Sequence, residues 1–135
     1  MERVELKELL DEADGTYSFR GRPFSGVAFD LLPSGSLWSE ITFVEGHQEG
    51  LARTWYENGQ LKSEGIFLGA TLHGPSKEWF ASGRLKNMSL CEFGICVEGR
   101  EWDEDGKLVK DFHLDPSDYN YAALLEQRAA FRKQE

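Results

Sequence analysis

The sequence lacks long apolar runs, a cysteine framework and an excess of basic residues. No stretch approaches the roughly 20 apolar residues of a membrane-spanning helix. The N-terminus, MERVELKELLDEADG, is mostly charged and has no apolar signal core, which predicts a cytoplasmic protein. The two cysteines, Cys91 and Cys96, are too few for a disulfide framework. We therefore expect reduced, partly buried thiols at both positions.

The shortage of basic residues restricts the possible partners. The chain has 24 acidic and 15 basic residues, which gives a formal net charge of -9. Nucleic acids and anionic membranes are disfavoured as partners because their phosphates would meet a negative field. A basic protein partner suits this charge, although acidity can also serve only to keep a protein soluble.

Patterns typical of catalysis are missing as well. The serines lack a nucleophile-elbow pattern, and the segment GATLHGPSK lacks the spacing of a phosphate-binding loop. The three histidines and two cysteines do not have the spacing of zinc ligands, and we expect His47 and His73 to be solvated loop residues. The sequence therefore predicts a protein that is not an enzyme, with no catalytic residues, no cofactor and no metal.

What the sequence does contain is an internal repeat of 24 residues. When the copies are aligned, equivalent positions form columns of like residues 24 apart. Two columns are glycines, one is leucines and one is tryptophans: Gly26, Gly50, Gly74; Gly35, Gly59, Gly83; Leu37, Leu61, Leu85; Trp55, Trp79. A fourth copy, with Trp102, Gly106 and Leu108, follows after a small deletion. The copies run roughly over residues 19–42, 43–66, 67–90 and 91–113.

Each copy has the pattern of a β-hairpin. In the clearest copy, Leu51–Glu57 and Gln60–Phe67 read as strands, and Asn58-Gly59 supplies the left-handed backbone of a tight turn. Gly26, Gly50 and Gly74 are predicted to mark bends where the chain enters the next strand. The tryptophan and leucine columns are expected on one face of the sheet. The fold class is therefore mainly β, an antiparallel meander of about eight strands.

The two ends of the chain lie outside the repeat. Residues 1–18 are expected to form an N-terminal capping segment, either a strand with a helical turn or one short helix. Residues 114–135 are predicted to form a C-terminal helix capped by Ser117 or Asp118. Its apolar stripe, with Arg128 on the same arc, is expected to pack on the last hairpin or across the sheet; a partner-binding role is the alternative. The stripe consists of Tyr121, Leu124, Leu125 and Phe131.

The segments WYENGQLKSE, WFASGRLKNM and WDEDGKLVKD, with LLPSGSLWSE as a weaker first copy, resemble the MORN-variant repeat. The resemblance extends from about Tyr17 to Asp111. The segment YSFRGRPFSGVAFDLLPSG also resembles the opening of bacterial antitoxin or immunity proteins that carry these repeats. The repeat signature ends in a glutamate, which the first two copies have as Glu40 and Glu64. The third copy has Met88 at this position. The periodic position of those glutamates predicts pairing with lysines on neighbouring strands.

The resemblance, the acidity and the missing catalytic groups together predict an antitoxin or immunity protein that neutralises a cognate, basic toxin domain. One alternative is a non-catalytic scaffold that self-associates through open sheet edges or binds another protein; another is membrane-surface binding, as the MORN name suggests for eukaryotic relatives. The candidate partner-binding residues are aromatic residues at positions expected to be exposed and acidic residues in loops: Trp38, Tyr56, Phe80, Glu45, Glu49, Asp103, Glu104 and Asp105.

Overall fold

The N-terminal segment forms only short elements, each of two or three residues. In a computed structural model, which describes residues 1–133, strand β1 (Arg3–Glu5) is followed by one turn of 3-10 helix (Leu6–Glu8). A strand followed by a helical turn is thus the correct one of the two predicted forms. Three short strands then form a separate small sheet: β2 (Leu10–Asp11), β3 (Tyr17–Phe19) and β4 (Arg22–Pro23).

Eight strands follow in which consecutive strands pair antiparallel, which confirms the predicted mainly β meander. They are β5 (Gly26–Leu31), β6 (Leu37–Val44), β7 (His47–Trp55), β8 (Leu61–Leu68), β9 (Thr71–Trp79), β10 (Leu85–Glu92), β11 (Ile95–Trp102) and β12 (Leu108–His113). Strand β1 adds in parallel beside β5, so the sheet has nine strands in the order β1-β5-β6-β7-β8-β9-β10-β11-β12.

The connections at one end of the strands form what we call the long-loop edge, residues 32–36, 56–60, 80–84 and 103–107. In the second loop, the Tyr56 amide donates to the Gln60 carbonyl, and the Gly59 amide donates back to the Tyr56 carbonyl. Only Gly59 of the predicted Asn58-Gly59 pair has a left-handed backbone, with φ 87°. Glycine is required there because a Cβ is strained at positive φ.

Two-residue turns join the strands at the opposite end, the short-turn edge, which consists of residues 45–46, 69–70 and 93–94. Both residues of each turn have positive φ, as the type I′ turn of a two-residue hairpin loop requires. The first positions of these turns remain 24 residues apart, so the shortening of the fourth copy lies within β11.

Two of the three predicted bend glycines lie at irregularities of the strand pairing, whereas Gly26 begins β5 in regular register with Phe43. Gly50 and Gly74 have positive φ and lie within β7 and β9, where the pairing with the preceding strand shifts register. Gly99, which follows Gly74 by 25 residues, does not continue this column. It lies opposite Ser89, as Ser76 does, and its φ is not positive.

The buried core is concentrated at the N-terminal end of the sheet, where the first residues pack on β5 and β6. Its members are Val4, Leu9, Phe24, Ala28 and Phe43. Beyond this cluster the predicted tryptophan and leucine columns meet as cross-strand partners on one face. These pairs are Leu31 with Leu37, Trp55 with Leu61, Trp79 with Leu85, and Trp102 with Leu108.

A row of alternating charges crosses the middle of the same face. The residues directly opposite one another are Glu40, Arg53, Glu64, Lys77, Met88, Arg100 and Asp111. Glu40 pairs with Arg3 at 2.5 Å and Glu64 with Arg53 at 2.8 Å. Glu64 therefore pairs with a neighbouring strand as predicted, but with an arginine instead of a lysine. Glu40 pairs instead with an arginine two strands away, across β5.

Helix α1 (Tyr119–Lys133) packs against the short-turn edge. Asp118 caps it, because its Oδ1 accepts a hydrogen bond from the Asn120 amide. Leu124 is buried, whereas Leu125 of the predicted stripe is 47% exposed. None of the helices in the described part of the chain is long and apolar enough to cross a membrane.

The helix is held by one ion pair and one aromatic cluster. Arg128 donates two hydrogen bonds to the Glu92 carboxylate, at 2.9 and 2.7 Å. Phe131 contacts Phe93 and His73, with ring centroids 5.6 and 6.1 Å away. The His73 Nδ1 accepts a hydrogen bond from the Phe93 amide at 3.1 Å. The prediction that His73 is a solvated loop residue is therefore wrong.

The prediction of two reduced thiols is also wrong. Cys91 and Cys96 form a disulfide between β10 and β11. The two residues are cross-strand partners on either side of the two-residue turn, which brings their side chains to the same face. Counting cysteines could not predict this bond, because the pairing depends on the position of the turn.

Candidate functional site

The sheet divides the eight predicted partner-binding residues between its two edges. Six lie at or beside the long-loop edge: Trp38, Tyr56, Phe80, Asp103, Glu104 and Asp105. Glu45 and Glu49 lie at the short-turn edge. Strands of eight or nine residues separate the two groups by about 25 Å at 3.3 Å per residue. The structure therefore brings six of the eight residues to one edge.

Trp38 is the exposed aromatic residue at this edge. It is the second residue of β6, and 46% of it is accessible to solvent. The corresponding residues of the next two copies are Lys62 and Lys86, whose ammonium groups lie over aromatic rings of their own hairpins. The first copy has no such pair, because Leu32 stands at the position of the ring and Trp38 at the position of the lysine.

Tyr56 and Phe80 are the rings that those lysines cover. The Lys62 ammonium lies 5.4 Å from the centroid of the Tyr56 ring, and the Lys86 ammonium lies 5.8 Å from that of Phe80. The Tyr56 hydroxyl also donates to the Trp79 carbonyl at 2.8 Å and so ties one repeat to the next. Both rings therefore contribute to the packing of the loop edge.

The acidic loop between β11 and β12 has one structural and two exposed carboxylates. The Asp103 Oδ1 accepts hydrogen bonds from the amides of Asp105 and Lys107, both at 2.9 Å. Glu104 and Asp105 are exposed and make no ion pair with the described residues. These two carboxylates and that of Glu57, which is likewise exposed and makes no ion pair with the described residues, supply the free negative charge of the long-loop edge.

The two glutamates of the short-turn edge have different surroundings. The Glu45 amide donates a hydrogen bond to the Ser25 Oγ at 2.8 Å. Glu49 lines a cleft of about 390 Å³ between the turns and the helix, together with His47, Phe93 and Phe131. The sequence placed Glu49 beside a loop but could not predict that α1 forms the opposite wall.

Sequence reasoning missed a second groove, on the face that carries the charge row. It has a volume of about 380 Å³, and Pro75, Met88 and Leu90 line it beside charged side chains of β11 and β12. The exposed Met88 interrupts the charge row between Lys77 and Arg100. The departure of Met88 from the repeat signature was the available signal for this groove.

Hydrogen bonds lower the pKa values of three carboxyl groups, one that contacts the helix and two in loops. Hydrogen bonding from Arg128 lowers the pKa of the Glu92 carboxyl. Hydrogen bonds from Thr16 and Ser117 lower the pKa values of Asp14 and Asp115, respectively. Within residues 1–133, no three His, Cys, Asp or Glu side chains are placed to share a metal ion.

These features define a single-layer repeat sheet with an acidic loop edge. Residues 48–68 match the MORN repeat variant, which supports a MORN-repeat protein. Such repeats generally serve as protein-interaction or scaffold modules. No curated protein sequence matches the chain.

Two solved structures are similar to the chain in part. A crystal structure of TarM aligns with 81% of this chain and 20% of its own, at 12% identity and a TM-score of 0.43. A mutant of S. aureus TarM in complex with Fondaparinux, alpha-GlcNAc-glycerol and UDP aligns over the same shares, at 13% identity and a TM-score of 0.42. The chain thus spans about a fifth of the length of these proteins.

Proposed function

We propose that the protein is an antitoxin or immunity protein that binds and neutralises a cognate, basic toxin domain without catalysing a reaction. The observation that carries this proposal is the long-loop edge, where exposed Trp38 lies on the same edge as the free carboxylates of Glu104 and Asp105. The net charge of -9 adds a long-range attraction for a basic partner.

The dimensions of this edge suit a single partner. Trp38 lies in β6, five strand spacings from the β11–β12 loop, or about 24 Å at 4.8 Å per strand. A standard interface buries about 800 Å² per partner and has a similar breadth. A partner of ordinary size can therefore contact the tryptophan and the acidic loop together.

The two parts of the edge have different roles in this proposal. An exposed tryptophan can anchor a partner through a large apolar contact. The carboxylates accelerate encounter and orient the basic surface, and they contribute less to the final affinity. Neutralisation follows because the bound repeat sheet covers the active or substrate site of the toxin.

We propose the cytoplasm as the location of this complex. The Cys91–Cys96 disulfide is the feature against which that location must be tested, because disulfides are rare in reducing compartments. Rapid alkylation of the protein in its native cells should label both thiols if it resides in the cytoplasm. Unlabelled, bonded cysteines would place it in an oxidising compartment.

The interaction is tested by substituting Trp38. We expect Trp38→Ala to weaken toxin binding by about 2 kcal/mol or more, as for a hot-spot residue, measured by calorimetry with the purified toxin domain. Val44→Ala is the matched control, because Val44 is similarly exposed but lies at the other end of β6. Equal effects of the two substitutions would show that the long-loop edge is not the binding surface.

A second candidate function is a self-associating scaffold. The specific observation in its favour is the open edge of β12, which pairs only with β11 in the described sheet. An uncovered edge strand can pair with another chain. A concentration-dependent oligomer that does not bind a toxin would favour this function.

A further inference from the structure

The two ends of the sheet are protected to different extents. At the N-terminal end, β1 has only three residues, and the adjacent segment packs into the buried core. At the other end, β12 has six residues, of which all but Phe112 are exposed. Helix α1 was expected to pack on this last hairpin or across the sheet, but its ion pair and aromatic contacts lie at the short-turn edge.

The hydrogen bonds of β12 show which of its backbone groups are free for another strand. The Leu114 amide donates to the Val97 carbonyl at 2.8 Å and thereby continues the β11–β12 ladder. Inward-facing and outward-facing residues alternate along an antiparallel strand. The backbone groups of Phe112 therefore point towards β11, like those of Leu114. The backbone groups of Asp111 and His113 point away from β11, towards the open edge.

We propose that β12 pairs antiparallel with β12 of a second copy of this chain, about a two-fold axis at Phe112. The occupant is a second copy because the strand is self-complementary in charge. Residues whose backbone groups face outward must lie opposite one another, which requires the two-fold axis to pass through a residue. The possible registers therefore differ in which residue lies on the axis. Centring the axis on Lys110, Asp111 or His113 places two lysines, two aspartates or two histidines opposite each other. The first two registers are repulsive.

The register centred on Phe112 places Asp111 opposite His113 of the second copy, and the symmetry repeats this contact. The imidazole can donate a hydrogen bond to the carboxylate in either of its protonation states. The central Phe112 pair does not exchange backbone hydrogen bonds, which is the type of pair whose side chains approach most closely. Aromatic cross-strand pairs at such positions are favourable.

This pairing has a consequence for the whole assembly. Because the two-fold axis is perpendicular to the sheet, the same faces of both copies become continuous. The two long-loop edges then lie at opposite ends of the combined sheet. The dimer would present two separate copies of the edge to partners, and this inference does not depend on the identity of those partners.

The pairing is tested with the full chain by sedimentation equilibrium. We expect a dimer whose dissociation constant rises roughly tenfold in His113→Asp, because two pairs of aspartates then face each other. The single change Asp111→His should also weaken the dimer. The double change Asp111→His with His113→Asp exchanges the two groups and should restore it, and Asp105→His is the control outside β12.

The register is tested by cross-linking under mild oxidation. Phe112→Cys should form a covalent dimer readily because position 112 lies on the axis. Lys110→Cys should not, because position 110 faces Leu114 of the second copy. A monomer at the highest soluble concentration would overturn the proposal. So would a dimer that is insensitive to the exchanges and does not cross-link through position 112.

Discussion

At the scale of single residues, two glycines with similar backbone angles have different surroundings. Gly35 and Gly46 have φ values of 89° and 84°. A Cβ at Gly35 would meet nothing within 4 Å, whereas a Cβ at Gly46 would lie 2.9 Å from the Thr16 Cβ and 3.0 Å from the Tyr17 carbonyl oxygen. Gly46 therefore permits the N-terminal segment to approach the first short turn.

We predict that Gly35→Ala lowers the free energy of unfolding by about 1–2 kcal/mol, the cost of a left-handed residue with a Cβ. Gly46→Ala should cost clearly more, because the steric overlap is added to the same backbone strain. Urea denaturation of both variants measures the difference. Equal losses would mean that the contact with Thr16 and Tyr17 does not constrain the fold.

The Glu92 carboxylate makes the docking of α1 dependent on pH. Its hydrogen bonds from Arg128 lower its pKa in the folded state. The stabilisation is therefore complete above the pKa of the unfolded chain and is lost as the pH falls through the lowered folded value. We predict that the protection of the α1 amides, relative to the intrinsic exchange rate at each pH, falls below the ordinary glutamate range.

The control for this effect is a pair of isosteric variants. Glu92→Gln should show lower protection of the α1 amides at neutral pH and little further change in protection on acidification. Glu126→Gln, on the exposed side of the same helix, should behave like the unmodified chain. Identical acid profiles for all three proteins would refute the role of the Glu92–Arg128 pair.

At the scale of elements, α1 offers a test of neighbouring residues with opposite environments. Leu124 is 1% exposed and Leu125 is 47% exposed. We predict that Leu124→Ala lowers the free energy of unfolding by about 2–4 kcal/mol, as for a buried leucine. Leu125→Ala should have a small effect. Similar losses in chemical denaturation would show that the helix does not dock through Leu124.

The periodic elements were the predictable part of this fold. Eight meander strands, the loop glycines and the pairing of Trp55 with Leu61 follow from a 24-residue period in which each column keeps its environment. The short turns were not predicted, because Glu45, Ala70 and Phe93 have positive φ without the usual turn residues. The disulfide depends on one of these turns, so the state of Cys91 and Cys96 could not be predicted either.

The candidate site was less predictable than the fold. Trp38 departs from a column of lysines, and Met88 departs from a column of glutamates, so both could be recognised as irregular positions. The wall that Phe131 forms beside Glu49 depends on where α1 docks. That docking depends on tertiary contacts such as Arg128 with Glu92, which have no periodic signal in the sequence.

At the scale of the whole molecule, the negative charge predicts how a partner is captured. Glu104 and Asp105 are exposed at the long-loop edge. We predict that the double variant Glu104→Gln with Asp105→Asn slows association with a basic toxin several-fold and changes dissociation little. Stopped-flow measurements at increasing salt should reduce the difference, because salt screens exposed charges. An unchanged association rate would exclude steering by this loop.

The most direct test of the proposed function is recovery of the partner from the native cells. We would purify the tagged protein, identify what accompanies it, and express that partner alone and together with this chain. The proposal predicts a stoichiometric basic protein that arrests growth alone and is harmless in the presence of the chain. Recovery of the tagged protein by itself, or with a partner that is harmless alone, would contradict it.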